Sequence, residues 1–208
     1  MPRTFIAIKI KLSSEYDVLQ QTLRRNTTFD EITWVANELN HITLRFIGKT
    51  FPAQVVQIKQ ILQEVARETE CFSLKINKLG IFGSRYCPRV IWLGFEQEPM
   101  LNQLVEKINE KLGTLGFEPA EGNFVPHITL GRIKKIHNKK KFSELIEAMQ
   151  PIYKQEFAIK EIILYKSQLE KEGPIYTELA KEKLLLIETE AIKTHNISNE
   201  KREIEVDE

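Results

Sequence analysis

The 208-residue sequence predicts an α+β protein built from two similar halves. Three observations lead there. Segments with a strand-like period of two alternate along the chain with segments of helical period. The tetrapeptide His-Ile-Thr-Leu occurs twice, at 41–44 and at 127–130, each time where a strand pattern begins. The copies lie 86 residues apart, a spacing too long for a solenoid repeat and suited to two lobes.

In order, residues 4–11 alternate as a first strand, with Phe5, Ala7 and Lys9 on one face. Ser13 or Ser14 caps a helix to about Arg25, with Tyr16, Leu19 and Leu23 on its buried stripe. Residues 33–35 lead through Asn37 to the first motif, and Gly48 closes that strand. Pro52 opens a helix with Val55, Ile58, Leu62 and Val65 at helical spacing. Phe72, Leu74 and Ile76 then alternate, Gly80 and Gly83 bracket a turn, and residues 90–93 form a buried run. Pro99 starts a helix through Leu101, Leu104, Val105, Ile108 and Leu112, with Gly113 as its stop. The second motif follows, then a basic loop over 134–141, a short helix over 142–149, and strands over 157–165 and 176–179.

Composition bounds the rest. Hydrophobic residues make up 42% and charged residues 28%, ordinary values for a globular protein with a substantial core. Residues 1–187 are expected to form one two-lobed domain, and 188–208 a charged, disordered tail. That tail carries seven acidic and three basic residues, so the formal charge of +1 leaves +5 on the body, which suits a polyanionic ligand. Cys71 and Cys87 form no Cys-x-x-Cys and suggest neither zinc nor a disulfide framework. The apolar start is too short for a signal peptide and is interrupted by Lys9 and Lys11. No stretch is long and apolar enough to span a bilayer. A cytoplasmic location is expected.

The motifs carry the chemistry. On an extended strand His and Thr at i and i+2 share a face, while Ile42 with Leu44, and Ile128 with Leu130, point to the core behind them. Two such strands facing each other present two imidazoles and two hydroxyls to one small space. Opening a strained cyclic phosphodiester needs a base for the water, an acid for the leaving oxygen, and donors for the non-bridging oxygens. Histidine suits both proton tasks because its ordinary pKa lies near working pH. A pair dividing them predicts a bell-shaped pH dependence. Thr43 and Thr129 supply neutral donors, and Arg132, just after the second motif, a charge-assisted one.

Other uses of the histidines fit less well. Catalytic zinc takes a third protein ligand, and neither copy is accompanied by His-x-x-x-His or a carboxylate cluster. No Gly-x-Ser-x-Gly elbow accompanies a Ser-His-Asp arrangement. His137 reads as a loop residue and His195 belongs to the tail.

Beyond the histidines, the chain resembles the LigT-type RNA 2′,3′-cyclic phosphodiesterases of the two-histidine phosphoesterase superfamily, from Arg3 to about Leu179. The shared runs span residues 3–8, 34–35, 41–48, 80–83, Arg85, 88–94, 124–132, 167–169 and 173–176. The resemblance implies a bilobal fold with two antiparallel sheets lining a central cleft and helices packed outside. It implies hydrolysis of RNA 2′,3′-cyclic phosphate ends, or of cyclic nucleotides, to 2′-phosphates, without metal or cofactor. Carried over, His41 is the proton donor to the departing O3′ and His127 the proton acceptor from water. Thr43, Thr129 and Arg132 hold the phosphate.

Strict alternation places Phe46 with Ile42 and Leu44 in the core, whereas a twist near Gly48 would offer it for base stacking. Trp34 and Tyr176 read as mainly structural. The lysines at 134, 135, 139, 140 and 141 are candidates to guide an RNA backbone. A cleft completed within one chain needs no second subunit, so a monomer is expected. Two other readings stay open: a 2′-5′ RNA ligase joining tRNA halves, and a non-catalytic binder of RNA ends or nucleotides.

Overall fold

The computed structural model describes residues 1–84, 86–120, 122–150, 154–170 and 173–186. The expected tail at 188–208, with His195, and Arg85 lie outside them. The elements are β1 (Arg3–Lys9), α1 (Ser14–Asn26), β2 (Glu31–Trp34), a 3-10 turn (Asn37–Leu39), β3 (His41–Lys49), α2 (Pro52–Arg67), β4 (Phe72–Ser84), β5 (Cys87–Phe95), α3 (Pro99–Thr114), β6 (His127–Lys135), α4 (Lys139–Ala148), β7 (Glu156–Ile159), β8 (Glu161–Glu170) and β9 (Gly173–Lys183). Among the described residues, no helix is long and apolar enough to cross a membrane.

The strands run in the order β7-β4-β5-β6-β3-β1-β8-β9, with β2 lying alongside β6. Their pairings are antiparallel. The two expected sheets are therefore present as half-sheets, β3-β1-β8-β9 and β7-β4-β5-β6. They are continuous through a single rung, where Ile42 stands opposite Ile128. Each half contributes one motif strand to that junction.

Helices cover one face. Leu23 of α1, Ile58, Leu62 and Val65 of α2, and Leu101, Leu104, Ile108 and Leu112 of α3 pack onto Ile6, Ile8, Ile42, Ile91, Leu93 and Ile128 in one core. Each such side chain contributes about 1.5–3 kcal/mol by leaving water. β1 departs from simple alternation, because Thr4–Ile8 are all buried. It is an interior strand between β3 and β8, and while Ile6 and Ile8 face the helices, Phe5 and Ala7 join Ile163 and Tyr165 in a second small cluster on the opposite face.

Three expectations are corrected. Gly80 lies inside β4 rather than at a turn, opposite Trp92 of β5. A Cβ on Gly80 would come within 2.6 Å of the Trp92 indole, and one on Gly94 within 2.5 Å, so both glycines leave room for a ring lying along the sheet. Gly113 lies inside the last turn of α3 instead of ending it; Gly116, at φ +80°, takes the left-handed conformation just beyond. The lysines at 139–141 belong to the first turn of α4, capped by the Asn138 side chain, which accepts from the Lys141 N–H at 3.0 Å. The expected basic loop over 134–141 therefore ends at Asn138, and the helix begins with cations at an N-terminus that disfavours them.

Two substitutions separate these roles. Gly113 has open space where a Cβ would be built, so G113A should raise the unfolding free energy by up to about 1 kcal/mol. G80A crowds the indole and should lower it by about 1–3 kcal/mol. Urea denaturation of both variants checks the pair.

Candidate active site

The rung joining the half-sheets fixes which groups meet. Ile42 and Ile128 are fully buried toward the helices. Their neighbours His41, Thr43, His127 and Thr129 must therefore point to the opposite face. With Ile42 opposite Ile128 in antiparallel register, each histidine lies across from the threonine of the other strand. The two imidazoles then stem from diagonal positions, on the order of 7–8 Å apart in a regular ladder with their Cβ atoms somewhat closer. All four side chains, with Arg132, line one cavity of about 340 Å³. The structure thus brings the five predicted motif and phosphate-binding residues to one place. The remaining wall comes from β2 and the turn after it, including Thr33, Trp34 and Leu39, and from the β8–β9 hairpin, including Glu170 and Tyr176.

Both rings are oriented the same way. The Nδ1–H of His41 donates to the Leu39 carbonyl at 2.6 Å, and that of His127 to the Val125 carbonyl at 2.8 Å. A carbonyl only accepts, so each Nδ1 carries hydrogen and each Nε2 is left as acceptor when neutral and donor when protonated. Phe5 and Tyr176 flank the His41 ring with centroids 5.1 and 5.3 Å away; Phe82 meets the His127 ring edge-on at 4.7 Å. These carbonyls and aromatic walls escaped sequence reasoning. The available signal was a second likeness between the halves, an irregular run leading directly into each histidine.

Strict alternation would turn Arg132 away from His127 and Thr129. A bulge corrects this: Trp92 pairs with Thr129 and Ile91 with Gly131, so Leu130 is the extra residue. Leu130 and Gly131 are both buried, and Arg132 returns to the cavity face. β3 has the matching bulge at Leu44, where Ala7 pairs with Thr43 and Ile6 with Arg45. Phe46 is consequently 58% exposed and not in the core. It lines a neighbouring depression with Arg45 and residues 116–120 rather than the histidine cavity. The β6 bulge is tied down by Gln20 of α1, whose Nε2 donates to the Leu130 and Val35 carbonyls at 3.2 and 2.9 Å. Trp34 packs over Gly131, where a Cβ would meet its ring at 3.1 Å, so Trp34 is both structural and part of the wall. Tyr176 likewise does both.

Burial is the main reason that both imidazoles have pKa values below the ordinary histidine value. The carbonyl bonds oppose this shift, while the Arg132 charge adds to it, as does His127 in the case of His41. An anionic phosphate between the rings would reverse these pushes by favouring imidazolium. His137 stands apart on an exposed bend, its backbone N–H donating to Asp30 Oδ1 at 2.8 Å. Among the described residues, no group of three His, Cys, Asp or Glu could hold a metal ion.

Comparison with known proteins gives a consistent result. A family model described as LigT like Phosphoesterase matches twice, over residues 10–92 and 94–176, one match per half. A protein of Thermotoga maritima named RNA 2′,3′-cyclic phosphodiesterase is 35% identical over 184 residues, spanning 85% of this chain and 92% of its own. One of the same name from Methanocaldococcus jannaschii is 34% identical over 180 residues, spanning 86% and 99%. The crystal structure of E. coli LigT complexed with 3′-AMP superposes with a TM-score of 0.67 at 25% identity, covering 88% of this chain and 99% of that one.

Two outcomes follow from the electrostatics. Removing the cation in R132M should move the titration of both imidazoles to higher pH, read from their ring-proton NMR shifts. In addition, a buried imidazole with a folded pKa below its unfolded value of about 6.5 binds fewer protons when folded. Its stabilising contribution is complete above that pH and is lost as pH falls through the folded pKa. The thermal midpoint should therefore drop on acidification from pH 7 to pH 5, and drop less in the H41Q/H127Q double variant.

Proposed function

This chain belongs to the LigT-like phosphoesterase family, and on that premise we propose that it hydrolyses RNA 2′,3′-cyclic phosphodiester ends to 2′-phosphomonoesters. The observation that carries the reading is the cavity of about 340 Å³ lined by His41, His127, Thr43 and Thr129 together, both histidines having Nδ1 engaged by a backbone carbonyl. Phosphodiester hydrolysis needs an acid and a base on opposite sides of phosphorus, because the attacking and leaving oxygens lie in line. A near-twofold pair of imidazoles meets that demand.

In the proposed step, His127 Nε2 takes a proton from water as the water oxygen bonds to phosphorus. The P–O3′ bond breaks, and protonated His41 gives its Nε2 proton to the departing O3′. One imidazolium is consumed and one formed, so proton exchange with solvent restores the starting state. Thr43 and Thr129 donate to the non-bridging oxygens, and Arg132 offsets the charge gathering there. The Nδ1 bonds to Leu39 and Val125 hold both reactive nitrogens toward the cavity throughout. Low imidazole pKa values leave His127 ready as base, while the bound anion raises the proton affinity of His41. Phe46, one bulge beyond Thr43, is placed to stack on a base outside the phosphate cavity.

All the groups invoked come from one chain, which supports a monomer acting through residues 1–187 as one two-lobed domain. Cys71 and Cys87 are free thiols, in keeping with a cytoplasmic enzyme.

The test uses a nucleoside 2′,3′-cyclic phosphate in excess chelator. Turnover should persist and give the 2′-monoester, with a bell-shaped pH profile. H41A and H127A should each lower kcat by about 10²–10⁴. Formation of the 3′-monoester, or unaltered kcat in either variant, would overturn the assignment. Adding an RNA with a 5′-hydroxyl distinguishes ligation, which would yield a 2′-5′ joined product.

A further inference from the structure

A second depression, of about 460 Å³, lies at the far end of the β2–β6 ribbon from the imidazoles. Its lining includes Asn26, Phe29, Asp30, His137, Asn138 and Lys141. Phe29 is 87% exposed, more than any other described aromatic residue. It is nevertheless carried by a tethered segment. The Asp30 N–H donates to the Thr27 carbonyl at 3.0 Å, and Asp30 Oδ1 accepts from the His137 N–H at 2.8 Å and lies 3.6 Å from His137 Nδ1. An aromatic ring held out in water beside amide and cationic side chains has the composition of a stacking platform for unpaired bases.

The surface between this platform and the cavity is cationic. Arg132 and Thr33 stand opposite each other and both line the cavity; beyond the Ile133–Ile32 pair, Lys135 stands opposite Glu31. From Arg132 to Lys141 there are six cationic residues and no acidic one. Lys134, Lys135, Lys139, Lys140 and Lys141 are all exposed. Among the described residues, this group makes one ion pair, Lys140 with Glu144 at 3.9 Å. The five residue steps from Arg132 to His137 span about 16 Å of extended chain, a distance a short single strand can follow.

We infer that this strip binds the single-stranded RNA leading into the cavity, its phosphates along the lysines and one base on Phe29. The inference rests on the proposed hydrolase and deepens it: the preferred substrate is an oligoribonucleotide end rather than a cyclic mononucleotide. A duplex would leave no base free to stack on the ring.

The experiment compares a nucleoside 2′,3′-cyclic phosphate with an unstructured oligoribonucleotide carrying the same end, at low and high salt. The wild type should favour the oligonucleotide, with kcat/KM falling as salt rises. F29A should lower that kcat/KM about tenfold. The K139Q/K140Q/K141Q variant should lower it similarly and reduce the salt slope by about two. Both variants should retain mononucleotide turnover, since none of these side chains lines the cavity. An unchanged oligonucleotide rate in both variants, or no preference for the oligonucleotide, overturns the inference. If the wild type turns over neither substrate, the hydrolase reading fails instead. Fluorescence anisotropy with a 3′-phosphorylated oligonucleotide then tests the strip alone, and equal affinity in wild type and variants rejects it.

Discussion

The structure depends on one rung of a β-ladder. Ile42 and Ile128 face each other where two half-sheets meet, both buried against the helices. Because strand side chains alternate, burying these two isoleucines forces His41, Thr43, His127 and Thr129 out of the core and toward one another. A slip of one residue in either strand would send its histidine into the apolar layer, where a neutral imidazole lacks partners and a charged one is disfavoured more strongly still. Fold specificity and site assembly are the same constraint here.

Two bulges then depart from the symmetry that the rung establishes. At Leu44 and Leu130 each motif strand gains one residue, and the side chain five places after each histidine returns to the cleft side of the sheet. In one half that side chain is the guanidinium of Arg132, in the other the ring of Phe46. The residue before it differs as well. Gly131 leaves room for Trp34, whereas Arg45 is buried, one Nη donating to the Glu118 carbonyl while its Nε has no partner among the described residues. The same backbone device thus delivers a cation to the histidine cavity and an aromatic ring to its flank.

Much of this was legible in the sequence. Apolar periodicity and the prolines at 52 and 99 marked α2 and α3, and the paired tetrapeptides marked both the duplication and the polar groups of the cavity. What stayed hidden depends on partners distant along the chain. A bulge is defined by the neighbouring strand, so alternation alone puts Phe46 in the core and only a twist near Gly48 offers it to a base. Gly80 read as turn because the indole it accommodates lies twelve residues later. Lys139 to Lys141 read as loop, and local dipole rules argue against a helix beginning there. The carbonyls of Leu39 and Val125 act through backbone geometry, which residue identity does not encode.

Joining the two halves in one polypeptide has a stereochemical consequence. Identical copies related by a true dyad would present the same surroundings to water on one side and to a ribose oxygen on the other. Covalent linkage lets each copy drift separately while the shared isoleucine contact keeps them in step. A chiral, directional nucleotide can then be accommodated by a scaffold whose strands remain nearly related by a twofold rotation, because the side chains around them no longer are.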